Sequence, residues 1–198
     1  MNNDNNEQLR RYPHNAMNTT IRARAFQKRK NREESFMTQG PAISHAQTSI
    51  QGRELRVQRT FQAPRELVFQ VWTDPKHLPN WWGPNGFTIT VQEFTLTPGG
   101  AWRYIMHGPD GTDYDNVIRY VEIAAPERLV YHHGDTQNEE MFHVTVTFDD
   151  KGAATELTMT SLFPTAEELD MAVKQYGAVE GAKQTLDRLE SALAELNR

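Results

Sequence analysis

The sequence predicts an α+β fold in which a seven-stranded, curved antiparallel sheet wraps around one long C-terminal helix. Two observations carry this. Six stretches between Phe87 and Phe163 have strand character, and the short turns between them (TPGG, GPDG, AAPE, DTQN and DDKG) join neighbours as hairpins rather than crossovers. After Pro164 the chain repeats apolar residues at helical spacing, and this is the only segment long enough to cover one face of such a sheet.

The elements follow in order. In ELRVQRTF, Leu55, Val57 and Arg59 alternate with Glu54, Arg56 and Gln58, the period of a half-buried first strand. Ala63-Pro64 then opens a short helix, because a proline in the first turn gives up no hydrogen bond. PRELVFQVWTD places Val68, Val71 and Trp72 at helical spacing, and Asp74-Pro75 ends it. KHLPNWW has room for a second short helix of one or two turns. The strands FTITVQEFTL, AWRYIMH, TDYDNVIRYVEI, RLVYHHG, MFHVTVTF and ATELTMTSLF complete the sheet.

Thr165 and Glu168 have the spacing of a capping box, and Leu169, Val173, Tyr176, Val179, Ala182, Leu186, Leu189, Leu193 and Leu196 continue the stripe. The spacing predicts one helix of about 30 residues, about 45 Å long. Gly177 and Gly181 fall inside it, where each costs about 1 kcal/mol relative to alanine. Close approach to a strand or a ligand is the expected reason for both.

The chain has 198 residues and a net charge of -5 that conceals an asymmetry. Residues 1–53 carry nine Lys and Arg against four Asp and Glu, a balance of +5, which leaves -10 for the rest. The division is therefore a basic tail over 1–52 and one folded domain over 53–198. Rich in Asn, Gln, Arg and Ser, the tail buries too little apolar surface to offset its ordering entropy and is expected to be disordered, apart from a short basic helix around Thr20 to Glu34. A solvated tail is preferred over nucleic acid or an anionic membrane as its explanation, and Met37 is an alternative start. There is no apolar run of about 20 residues for a bilayer span and no secretory leader, so a cytoplasmic location is expected. Zero cysteines exclude disulfides, thiolate nucleophiles and Cys-type zinc sites.

The order of these motifs resembles a known family. Pro64 to Trp72, then Trp-Trp-Gly-Pro, TPGGAWRY, GPDG, APERLVY, VTVTF and GAKQTLDRLESAL are similar to the activator of heat-shock protein 90 ATPase family, within the START-like (SRPBCC) superfamily of helix-grip proteins. The resemblance covers about residues 54–197. It implies a seven-stranded sheet gripping the last helix, with a cavity between them that holds apolar molecules in superfamily members. It also raises polyketide cyclase or dehydrase chemistry and a chaperone partner as alternatives. In the family the last helix often carries Gly-Trp where this chain has Gly181-Ala182, so a bulky filler is absent here.

Aromatic residues supply the candidate ligand site. Trp81 and Trp82 lie where the resemblance places the cavity rim, one ring expected in the core and the other lining the entrance. Trp72 on the first helix belongs with them. AWRYIMH puts Trp102, Tyr104 and Met106 on one strand face, opposite Arg103, Ile105 and His107. Tyr114, Phe142 and Met159 extend the set, and Tyr176 is expected to cap it. His132 and His133 are adjacent on a strand and point to opposite faces, so no shared metal ion is expected, while the inward one is a candidate ligand contact. No G-x-S-x-G, H-E-x-x-H, phosphate loop or dinucleotide fingerprint occurs. No cofactor is expected, and binding of a small apolar or aromatic ligand is preferred over catalysis. Association into a homodimer stays open.

Overall fold

The computed structural model describes residues 45–196. The basic stretch around Thr20 to Glu34 and Met37 lie outside the described residues. The sheet has eight strands: β1 Gln47–Gln51, β2 Glu54–Phe61, β3 Thr88–Phe94, β4 Ala101–His107, β5 Asp113–Ala124, β6 Arg128–Gly134, β7 Phe142–Asp150 and β8 Thr155–Leu162. Every neighbouring pair is antiparallel in the order β1-β2-β8-β7-β6-β5-β4-β3, and the sheet does not close. β1 corrects the expectation of seven strands and of a tail running to residue 52. Its sequence, QTSIQ, is almost entirely exposed, so it has no apolar alternation to betray it. Backbone pairing with β2 across the turn at Gly52 (φ 59°) makes it a strand.

Two short helices, α1 Arg65–Thr73 and α2 Leu78–Trp81, carry the chain from β2 to the opposite edge at β3. Pro64 sits at the N-cap of α1, one residue before the first helical turn, and its carbonyl accepts the N–H groups of Leu67 and Val68 at 3.0 and 3.1 Å. Asp74 ends the helix in an extended conformation ahead of Pro75. Val68, Val71 and Trp72 are buried on the face directed at the sheet.

The expected single C-terminal helix is two: α3 Ala166–Tyr176 and α4 Ala178–Leu196. Thr165 caps α3 by accepting the N–H of Glu168 at 3.1 Å. Gly177 ends it in the left-handed region (φ 63°, ψ 34°), where a residue without Cβ is least strained. A Cβ there would meet nothing within 4 Å, so backbone conformation rather than close approach is its reason. At Gly181 the nearest atom to such a Cβ is Pro84 Cβ at 4.0 Å, an ordinary contact rather than a tight one.

α4 packs on α2 and β2, burying Leu186, Leu189 and Leu193. The inward row of β2 (Leu55, Val57, Phe61) meets Leu129, Val144, Val146, Phe148 and Leu157 from the other strands in one core. Arg59 lies in that same inward row and is 3% exposed. Its guanidinium pairs with Asp187 and, at 3.7 Å, with Glu190 of α4, and lies 5.4 Å from the Phe61 ring centre. Among the described residues no helix is long and apolar enough to cross a membrane.

Candidate functional site

The double tryptophan turns on a backbone change between its two residues. Trp81 is the last residue of α2, whereas Trp82 is extended (φ -67°, ψ 128°), so the two indoles meet edge to face, ring centres 5.2 Å apart, and make different contacts beyond each other. Trp81 is fully buried and donates its N–H to the Val71 carbonyl of α1 at 3.2 Å. Trp82 leans toward the sheet, its ring centre 4.8 Å from that of Trp102 and 5.6 Å from that of Trp72. Gly83 then takes φ 99°, and a Cβ there would lie 3.2 Å from Met106 Cε. The loop is strapped to α4: Arg188 donates to the carbonyls of Gly83, Pro84 and Phe87 at 2.9 to 3.0 Å, and Gln184 accepts the N–H of Asn85 at 3.0 Å.

Between this loop, the sheet and α4 lies a cavity of about 190 Å³. The sheet contributes Leu55, Tyr104, Met106, Tyr131, His133, Phe142, Val144, Met159 and Ser161, with Phe163 just beyond β8. Trp72, Trp82, Gly83 and Pro84 form one side, and Ala178, Ala182, Thr185 and Leu186 of α4 form the roof. None of these side chains is charged. Small residues on α4 leave the space open: Ala182 occupies the position at which the resemblance anticipates tryptophan.

One polar chain crosses the apolar wall. Trp82 donates its indole N–H to Tyr104 Oη at 3.0 Å. His133 Nε2 lies 3.4 Å from that hydroxyl and 3.2 Å from Asn116 Oδ1. Asn116 Nδ2 donates to the Tyr114 carbonyl at 2.9 Å, which turns Oδ1 toward the imidazole. Burial pushes the His133 pKa down to about 4, so the ring is neutral at physiological pH. Burial also pushes the Tyr104 phenol well above its usual value, keeping it protonated.

Of the twelve residues singled out from sequence, seven line the cavity: Trp72, Trp82, Tyr104, Met106, His133, Phe142 and Met159. Trp81 and Trp102 stand behind the wall, Trp102 stacking on Tyr104 with ring centres 4.4 Å apart. Three lie elsewhere. Tyr114 has the same strand parity as Asn116 but sits near the start of β5 and is 44% exposed. His132 is on the outer face, its ring 5.1 Å from that of His143. Tyr176 does not cap the cavity: it ends α3, is 77% exposed, and is separated from the roof by the break at Gly177.

Sequence reasoning missed Asn116, Tyr131, Ser161 and, on α4, the contributions of Ala178, Thr185 and Leu186 beside Ala182. Period two alone would have placed Tyr131 with His133, Ser161 with Met159, and Asn116 with Tyr114 on the inward faces. On the outer face, His107 binds Asp113 at 2.6 Å and Thr90 at 2.8 Å, away from the cavity. Among the described residues no three His, Cys, Asp or Glu side chains converge as a metal site.

No curated protein matches the chain. Among solved structures, a Mycobacterium smegmatis protein superposes with a TM-score of 0.69 at 25% identity, covering 76% of this chain and 97% of that one. An Arthrobacter aurescens protein gives the same TM-score and identity over 78% and 93%. A Silicibacter pomeroyi protein described as AHSA1 gives 0.60 at 22% identity over 73% and 99%, a likeness of fold. The profile of the Activator of Hsp90 ATPase homolog 1-like protein family matches residues 62–194, which takes in α1, α2, β3 to β8 and most of α4, and the chain therefore belongs to that family.

Proposed function

We propose that this protein binds a small apolar or aromatic molecule in the cavity between the sheet and α4. The observation that carries the reading is an uncharged, apolar space of about 190 Å³ whose wall includes Trp72, Trp82, Tyr104, Tyr131 and Phe142 and whose roof is Ala178, Ala182, Thr185 and Leu186. Cavities of this kind, apolar with few fixed polar groups, are the usual form of small-molecule sites. The neutral His133 favours binding over proton transfer: a pKa of about 4 makes its imidazole a weak base at pH 7.

The test is thermal unfolding and intrinsic tryptophan fluorescence with a panel of single-ring and larger apolar compounds. A ligand that binds only the folded state raises Tm and, with Trp72 and Trp82 in the wall, changes the emission. No shift in either signal across the panel at saturating concentration contradicts the reading. A chaperone-directed role is the second reading, favoured by the family description alone. It requires that the protein change the turnover of a heat-shock protein 90 ATPase, and unchanged turnover removes it.

A further inference from the structure

We propose that the ligand is a neutral molecule about the size of one substituted six-membered ring, carrying an acceptor oxygen that receives the hydroxyl proton of Tyr104. This rests on the cavity being a ligand site and adds the chemical class that it selects.

Size comes first. An apolar cavity of roughly 150 Å³ is enough to hold benzene, so about 190 Å³ seats one ring with one or two small substituents within its walls. Charge comes second. No lining side chain is ionised, and an ion moved from water into such a wall would lose its hydration with nothing to replace it.

The acceptor follows from counting protons. Asn116 spends its amide N–H on the Tyr114 carbonyl, so the atom facing His133 is an oxygen that can only accept. The 3.2 Å contact is therefore a hydrogen bond only when His133 Nε2 carries the proton. A neutral imidazole has one N–H, so Nε2 then has no lone pair to offer Tyr104. The opposite tautomer would set two lone pairs against each other at that distance. Tyr104 already accepts the indole N–H of Trp82, and its own proton is left without an acceptor among the described residues. Tyr104 is 1% exposed and lines the cavity, so a ligand is the available partner. A buried donor left unpaired is costly, and a ligand that pairs it gains over one that does not. Tyr131 and Ser161 also line the space, and neither hydroxyl has a hydrogen-bond partner among the described residues; they are the competing donors that the test must separate.

Acetophenone and α-methylstyrene differ by C=O against C=CH₂ at nearly constant shape, and benzoate and benzylammonium supply the charged counterparts. Binding of each to the full chain is measured by calorimetry, with ¹³C=O acetophenone followed by infrared spectroscopy. The expected result is acetophenone tighter than α-methylstyrene by about ten-fold, a carbonyl stretch shifted to lower frequency, and no measurable binding of the two ions. In Tyr104→Phe the two neutral compounds should bind equally and the carbonyl shift should vanish, while Tyr131→Phe and Ser161→Ala keep the preference. Equal binding of the two neutral compounds to the wild type overturns the acceptor assignment while leaving the cavity as a ligand site. Preference lost in Tyr131→Phe or Ser161→Ala and retained in Tyr104→Phe overturns the assignment to Tyr104. Tighter binding of either ion overturns neutrality. Failure of all single-ring compounds, with larger apolar compounds binding, overturns the size class; failure of every compound overturns the ligand site itself. If Tyr104→Phe does not fold, the wild-type comparison and the infrared shift still decide the acceptor.

Discussion

The indole N–H of Trp82 donates to the hydroxyl of Tyr104 at 3.0 Å, joining the loop after α2 to the middle of β4. Both residues are buried, and Tyr104 also stacks on Trp102. This one bond fixes the direction of the Tyr104 hydroxyl and holds the second tryptophan of NWWGPNGF against the sheet. It also gives the pair a measurable energetic signature. Tyr104→Phe removes the acceptor and leaves a buried N–H unpaired, so it should lower stability by about 1–3 kcal/mol in chemical denaturation. In a cycle with Trp82→Phe the two substitutions should couple by at least about 0.5 kcal/mol, because removing both partners leaves nothing unpaired. Strict additivity would mean that the bond does not form.

His133 makes stability fall in acid. Its pKa is 6.5 when unperturbed and about 4 in the folded protein, so the unfolded chain takes up the proton first as pH drops. The stabilisation is complete above pH 6.5, is lost progressively between 6.5 and about 4, and amounts to at most about 3 kcal/mol. Glu139, held low by Arg103 and Arg119, adds a separate loss at lower pH, below its ordinary range. Urea unfolding of wild type and His133→Gln at a series of pH values isolates the histidine: the variant should lack most of the slope between 6.5 and 4. An identical slope in both would show that His133 is solvated.

The two glycines expected to serve one purpose should respond in opposite directions. Gly181→Ala places a methyl in ordinary contact with Pro84 inside a helix, and should raise stability by up to about 1 kcal/mol. Gly177→Ala forces a side chain into the left-handed region at the α3 C-terminus, and should lower it by about 1 kcal/mol or more. Thermal unfolding of the two variants reads the sign directly.

Strand parity, turn chemistry and capping made most of this architecture legible in the sequence. Leu55, Val57 and Arg59 were set on one face by alternation alone, and Thr165 was identified as a cap from its spacing to Glu168. The features that escaped have specific physical causes. β1 is held by backbone pairing, which leaves no apolar trace in QTSIQ. The helix break at Gly177 is a backbone event inside an unbroken apolar stripe, and it carries Tyr176 away from the roof. The inward position of Asn116 was readable from its parity with Tyr114, but its role was not, because that depends on its partners, His133 and the Tyr114 carbonyl. In the cavity the reverse holds: residue types were readable, but the separation of Trp81 from Trp82 depends on one extended residue at the end of a four-residue helix.

Arg59 joins the sheet to the helix that roofs the cavity. Its side chain is 2% exposed, whereas those of Asp187 and Glu190 are 58% and 35% exposed, so the buried charge depends on half-solvated partners. Asp187→Ala should therefore cost about 1–3 kcal/mol, less than breaking a wholly buried pair. Arg59→Met, which removes the charge and retains much of the apolar stem, should cost less than Arg59→Ala. Denaturant midpoints for the three variants give the ranking, and an Arg59→Met variant less stable than Arg59→Ala would contradict it.

Ligand binding as proposed requires a small molecule to occupy the space beneath Ala182. A crystal of the protein soaked in bromobenzene, with the same soak applied to Ala182→Trp, tests it most directly because the anomalous signal of bromine locates the ring without ambiguity. A bromine peak bounded by Trp82, Tyr104 and Phe142 is expected in wild type, and no peak there in Ala182→Trp, whose indole would fill the volume. Absence of a cavity peak in wild type, or the same peak in both crystals, would contradict it.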